Sequence, residues 1–422
     1  VGDADADQDT HQEEGTNDGK RVSWVELYFD LVFVFAVSQA ARTIVARPSW
    51  SGLGVAFGVF ITLWWTWIGF AVLCNRHGDD RATLRLFMLA GTLPCAVAAV
   101  ELQGAPAGDT VGFALALAAA RLVLAVAYPV AGAGRIARRA GIGYAVSTVL
   151  FVAIAFTPGP GRYVILAVAL AQEAAFLLIG SSRRTEIQRR TAGRATGERR
   201  RRADALQAAM QAPQNPEDRV DAAHLAERFG LFMIILLGEI VVSVGNGALG
   251  VPEKSLGFWA GLLGGLVLAA ALWWIYFDSA AHINEYVLRA SGGNPAMAYG
   301  IYAGGHLGPA FALLAVAAGV NLTLHGRPPT AAAWLVAGGL AAYLVGTRVF
   351  LATEQETVGR LLRAVAIAAT VCLGLLQHVV SPSAVLAVVA VWAVGAAALV
   401  SARRTRLLRQ LTSNPLSLFH SG

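Results

Sequence analysis

The polypeptide is divided into apolar runs of about 17–23 residues, and that length leaves few folds open to it. A helix rises 1.5 Å per residue, so roughly 20 apolar residues cross the ~30 Å hydrocarbon core of a bilayer. Twelve such runs are readable, at 22–46, 52–74, 84–101, 110–131, 141–157, 162–180, 227–247, 255–277, 297–320, 331–352, 361–380 and 382–402. Composition agrees, because 14% of the 422 residues are charged, against about 25% in soluble domains. The expected fold is an all-α polytopic membrane protein of about twelve transmembrane helices.

Between and around these runs lie three polar stretches. Residues 1–21 hold seven acids in their first 20 positions and almost nothing apolar. They read as a disordered acidic cytoplasmic tail, since a signal peptide needs a basic start and an apolar core. Residues 181–226 form an arginine-rich connector between a first six-helix half (22–180) and a second (227–402), and 403–422 is a basic tail. Twelve crossings put both termini on one side. On that side fall 26 of the 33 basic residues, including "ERRRR" at 198–202, whereas the other carries Arg42, Arg47, Arg162, Lys254 and Arg327. The positive-inside rule then makes the termini and connector cytoplasmic, in a multi-pass protein of the cytoplasmic membrane. The basic run lacks interleaved aromatic residues, so nucleic acid is excluded as its partner. Anionic lipid headgroups are the better match.

Six runs, a connector and six more runs point to duplication. An offset of 209 residues sets "LWW" at 63–65 on "LWW" at 272–274, Asn75 on Asn284, and Asp30 on Glu239. An even number of spans per half implies parallel repeats related by an axis along the membrane normal.

Charged side chains within spans are costly in lipid and therefore face a protein interior or an aqueous path. In "WVELYFDLVFVFAVSQ" at 24–39, Glu26 and Asp30 are four residues apart and share one helix face. Asp30 lies about nine residues, roughly 13 Å, from the cytoplasmic entry. Glu239 is expected at similar depth in the second half, and Glu173 and Arg121 are also near mid-depth. The two carboxylates of Glu26 and Asp30 repel when both are ionised, which favours sharing a proton and suits a proton or cation relay. The competing reading is structural, with the acids satisfied by Arg121 or by backbone and hydroxyl donors. A second cluster is expected at the cytoplasmic ends of the seventh and eighth runs. It comprises His224, Glu227 and Arg228 in "HLAER", and Asp278 and His282 in "YFDSAAH". It reads as a relay or as interfacial anchors and caps. His306 is either a titrating switch or a satisfied core histidine. Gly230, Gly238, Gly245 and Gly247 are expected to let helices approach closely.

Cys74, Cys95 and Cys372 show neither CxxC nor Cys/His spacing, so no disulfide framework or metal site is expected. P-loop, HExxH and GxSxG patterns are absent, and the reading is of a protein that is not an enzyme and carries no cofactor.

Two long segments, "VSWVELYFDLVFVFAVSQ" at 22–39 and "HLAERFGLFMIILLGEIVVSVG" at 224–245, resemble the signatures of the bacterial low temperature requirement protein A (LtrA) family. "WWIYFD" at 273–278 and His306 extend the resemblance, which runs from residue 22 to about 400. It implies a polytopic bacterial membrane protein and marks Glu26, Asp30, His224, Glu227, Arg228, Glu239, Asp278 and His306 as family-typical. It names no substrate. The leading expectation is a proton- or cation-coupled transporter with Asp30 and Glu239 as midplane groups. Glu26, Glu227, His224 and Asp278 would line the cytoplasmic approach. The alternatives are a passive cation channel, and a non-transporting membrane scaffold or sensor needed for growth in the cold.

Overall fold

A computed structural model describes residues 22–78, 81–102, 110–175, 213, 219–249, 251, 253–325, 329–348 and 357–413. Twelve helices make up these residues. The first five are α1 (Trp24–Ala46), α2 (Trp50–His77), α3 (Ala82–Glu101), α4 (Val111–Ala131) and α5 (Arg135–Phe156). They are followed by α6 (161–175), α7 (Ala222–Ala248), α8 (Leu256–Ala290) and α9 (Pro295–Leu324). The last three are α10 (Pro329–Arg348), α11 (Thr357–Leu375) and α12 (Pro382–Ser413). Among the described residues, 10 helices are long and apolar enough to cross a membrane. The exceptions are α6, described for a shorter length, and α11, whose apolar part is Ala364–His378. The acidic N-terminal stretch, nearly all of the arginine-rich connector and residues 414–422 lie outside the described residues.

Helix ends follow local chemistry. Ser23 caps α1 in a reciprocal capping box with Glu26: the serine hydroxyl accepts from the Glu26 N–H, and the carboxylate accepts from the Ser23 N–H at 3.0 Å. Asp221 caps α7 by accepting from the His224 N–H at 3.1 Å. That cap starts α7 five residues before the apolar run at 227–247. The sequence reading placed His224, Glu227 and Arg228 at the cytoplasmic end of the span and counted Arg228 among the basic residues of the cytoplasmic side. All three are helical instead, and Arg228 is two turns inside.

Two wide turns interrupt α8 and α9. The Ala281 N–H bonds back to the Tyr276 carbonyl and the Gly305 N–H to that of Gly300, each spanning five residues where an α-turn spans four. The first wide turn contains Asp278, and His282 follows it in the regular helix.

Packing sets α1 at the centre of the bundle, against α2 and α3 in its own half and against α7 and α9 in the other. Large apolar side chains such as Leu31, Leu93, Val149 and Val391 are exposed on the outer surface, where they meet lipid. Of the four glycines expected to allow close approach, only Gly247 is pressed: an added Cβ would come 2.8 Å from Leu324. At Gly238 and Gly245 it would meet nothing within 4 Å, and at Gly230 it would make an ordinary contact with Phe277. At the 209-residue register Trp64 is fully buried and its counterpart Trp273 is exposed, whereas Asn75 and Asn284 are both buried, as are Asp30 and Glu239.

Candidate functional site

The N-terminal turns of α1 and α7 run side by side and bring Glu26, Asp30, His224 and Arg228 together in the protein interior. Each is at most 2% exposed. Arg228 Nη2 lies 3.0 Å from Asp30 Oδ1, and its Nε lies 3.8 Å from Glu26 Oε1. His224 Nε2 is 3.2 Å from Glu26 Oε2. Arg228 thus bridges the two carboxylates that the sequence places one helical turn apart. Among the described residues, none of the Arg228 nitrogens is aligned for a hydrogen bond, and Asp30 Oδ2 and Glu26 Oε1 accept none. The cluster is held by charge more than by directed hydrogen bonds and keeps spare bonding capacity.

Helix α2 supplies the frame. Trp67 Nε1 donates to Asp30 Oδ1 at 2.7 Å, and the Arg228 guanidinium sits 5.6 Å from the centroid of the same indole. Phe229 and Phe232, with ring centroids 4.9 and 4.3 Å from that of Trp67, seal the far side. Asn75 Nδ2 donates to the Asp221 carbonyl at 2.8 Å and lies 3.2 Å from His224 Nδ1. Its Oδ1 accepts from the Asp221 N–H at 3.1 Å. The α7 cap is fastened from its other side by the Val220 N–H, which donates to the Gly293 carbonyl at 3.0 Å. Gly293 has φ +70°, and a Cβ there would fall 2.4 Å from the Val220 oxygen.

With both acids ionised, the cluster is neutral when His224 is protonated and carries one net negative charge when it is not.

The remaining candidates lie elsewhere. Glu239 accepts from the Ser38 hydroxyl, with the exposed Arg42 guanidinium within coulombic range. Ser38 is eight residues beyond Asp30 on α1, roughly 12 Å along the axis. The expectation of equal depth for Asp30 and Glu239 is therefore corrected: they occupy separate levels. Arg121 and Glu173 pair with each other, at 2.6 Å from Nε to Oε1 and 3.2 Å from Nη2 to Oε2. Arg121 also donates to Thr66 Oγ1 at 3.0 Å and lies 3.8 Å from the Phe151 ring centroid. It does not serve Asp30, whose cation is Arg228. Asp278 accepts from Ser401 at 2.7 Å and so docks α12, while His282 Nδ1 is 2.9 Å from the Phe277 carbonyl. Glu227 is exposed and accepts from the Val22 N–H at 3.2 Å. His306 is buried with both ring nitrogens engaged, Nδ1 at 2.9 Å from the Ile301 carbonyl and Nε2 at 2.9 Å from the Tyr276 hydroxyl. Its ring stacks on Tyr302 with centroids 5.2 Å apart.

Trp67 and Ser38 were not singled out in the sequence, and Asn75 entered only as a repeat marker. A polar side chain inside an apolar run was the available signal for Asn75. Nothing separates Trp67 from its neighbours Trp64 and Trp65 before the fold turns it toward Asp30.

Comparison with known proteins accords with this picture. The uncharacterized protein RA0937 of Rhizobium meliloti (strain 1021) is 27% identical over 283 residues, 64% of this chain and 62% of the relative. The match thus spans less than two thirds of that relative's length. The bacterial low temperature requirement A protein (LtrA) family matches residues 21–399, a stretch holding every member of the buried cluster. The chain belongs to the LtrA family.

Proposed function

We propose that the protein is a proton-coupled transporter of the bacterial cytoplasmic membrane, with Glu26, Asp30, His224 and Arg228 as the group that takes up and releases the coupling proton. One observation carries this reading: four ionisable side chains are buried together, between helices of the two halves of the chain. Intramembrane ionisable residues in such a setting commonly mark ion pathways. Their position at the α1–α7 contact supports alternating access, because rocking one half against the other would open and remake the Arg228 bridge. Parallel packing supports the two-repeat arrangement: α1 meets α3 and α3 meets α4, as α7 meets α9 and α9 meets α10. On this reading all twelve helices cross the membrane, the termini are cytoplasmic, and the protein catalyses no covalent chemistry. Glu239, one level further along α1, would be a second station on the path.

The test is ion flux in proteoliposomes under an imposed pH or potassium gradient. Wild type is compared with Asp30→Asn and Glu239→Gln, each first checked for folding by size-exclusion chromatography. Flux that is present in wild type and lost in Asp30→Asn supports the reading. Resolvable single-channel openings would favour a passive channel. No flux above empty liposomes under any gradient would sink proton coupling and leave the scaffold reading.

A further inference from the structure

A cavity of about 490 Å³ opens between α2, α4, α5 and α6, at the end of the bundle away from the buried cluster. Its volume falls in the ~300–1,000 Å³ range of ligand pockets. Polar groups gather at its mouth, where helices end: Arg47 at the C-terminus of α1, Ser51 in the first turn of α2, Thr110 before α4 and Arg162 at the start of α6. Below them the walls are apolar, with Val59, Phe113, Ile154 and Leu166 among them. Among the described residues, no acid lines the cavity. This end of the molecule has few basic residues, and two of the five assigned to it, Arg47 and Arg162, converge here. Arg162 donates to Thr110 Oγ1 at 3.0 Å, while its Nε is buried and has no hydrogen-bond partner among the described residues. One wall is bare: Gly54 and Gly58, four residues apart on α2, would each accept a Cβ with nothing within 4 Å. The next residue of that stripe, Thr62, bonds its hydroxyl to the Gly58 carbonyl and presents no unmet polar group.

We propose that this cavity binds an anionic phospholipid, with its phosphate between Arg47 and Arg162 and one acyl chain lying along Gly54 and Gly58. Charge at the level of the helix ends and a long apolar trough beneath match an amphiphile standing in one leaflet. The N-termini of α2 and α4 add positive dipole ends near the phosphate. Phe151 forms the floor and carries Arg121 on its other face, so the bound chain would press on the ring that holds the Arg121–Glu173 clamp. The inference is independent of proton coupling.

Native mass spectrometry of the full chain in detergent tests it, with dioleoyl phosphatidylglycerol, dioleoyl phosphatidylcholine and glycerol 3-phosphate as probes. Phosphatidylglycerol should be retained in preference to phosphatidylcholine. Its apparent affinity should fall about tenfold or more in Arg47→Gln/Arg162→Gln, as expected for lost charge-assisted contacts. Gly58→Phe fills the trough and should release the lipid while leaving the melting temperature near that of wild type; Gly54→Leu repeats the test should Gly58→Phe misfold. Equal retention of the two lipids would overturn the proposal, as would phosphatidylglycerol binding that survives Gly58→Phe. Glycerol 3-phosphate binding as tightly as the lipid would also overturn it and make the cavity a free-anion site.

Discussion

At Arg228 the sign of the electrostatics decides what a substitution does. The guanidinium faces two carboxylates in a site closed to water, so removing it strands two like charges 0% and 2% exposed. Breaking such a buried pair from one side costs about 3–5 kcal/mol, whereas removing both partners costs far less. Arg228→Gln should therefore lower the thermal stability of the detergent-solubilised protein strongly, and adding Asp30→Asn should restore part of it. Losses that simply add would mean that Asp30 and Arg228 do not interact. Trp67→Phe keeps the packing against Phe229 and Phe232 but removes the indole donor to Asp30, for a loss of about 1–3 kcal/mol in the same assay. Both acids were legible in the sequence, because carboxylates in an apolar run have to be accounted for. Their cation was not. Arg228 is the second residue of the apolar run at 227–247 and reads, with His224 and Glu227, as part of a separate cluster at the end of the span, until the Asp221 cap carries it into α7 beside the two acids.

Among the helices, the twelve apolar runs match twelve helices, and among the described residues 10 of these are long and apolar enough to cross a membrane. The wide turns at Tyr276–Ala280 and Tyr299–Gly304 were not foretold, because a five-residue backbone bond leaves no compositional trace. Glycine roles were equally opaque, for they depend on what stands opposite. Gly238→Ala faces open space and replaces a mid-helix glycine, so it should stabilise α7 by about 0.5–1 kcal/mol. Gly247→Ala drives a methyl group toward Leu324 and should not share that gain. Gly293→Ala combines a positive φ with a 2.4 Å clash on the Val220 oxygen. It should loosen the strand that positions Asp221 and destabilise by more than about 1 kcal/mol. Melting temperatures of the three variants side by side check the ranking, and a destabilising Gly238→Ala would show that the α7 surface there is covered by something.

Across the whole molecule, one end gathers the start of α1, the end of α2, the start of α7, the end of α8 and the start of α9. Contacts that tie these ends together run from Val22 to Glu227, from Asn75 to Asp221, from Arg76 to Tyr299 and from Val220 to Gly293. Arg289, which pairs with Glu285 at 2.5 Å, belongs to this end, while Lys254 before α8 belongs to the other. Taking Arg228 out of the loop count leaves the excess of arginine at the first end intact, and on the positive-inside rule we propose that this end is cytoplasmic. Two single-cysteine proteins test this, with Cys74, Cys95 and Cys372 replaced and either Lys254→Cys or Arg289→Cys added. Both positions are exposed, so both thiols are open to reagent. A membrane-impermeant maleimide should label Lys254→Cys in intact cells and Arg289→Cys only after permeabilisation. The reverse pattern would turn the molecule over. The buried cluster would then lie nearest the external face, where its proton would exchange with the periplasm, and the Arg47–Arg162 cavity would open into the cytoplasmic leaflet.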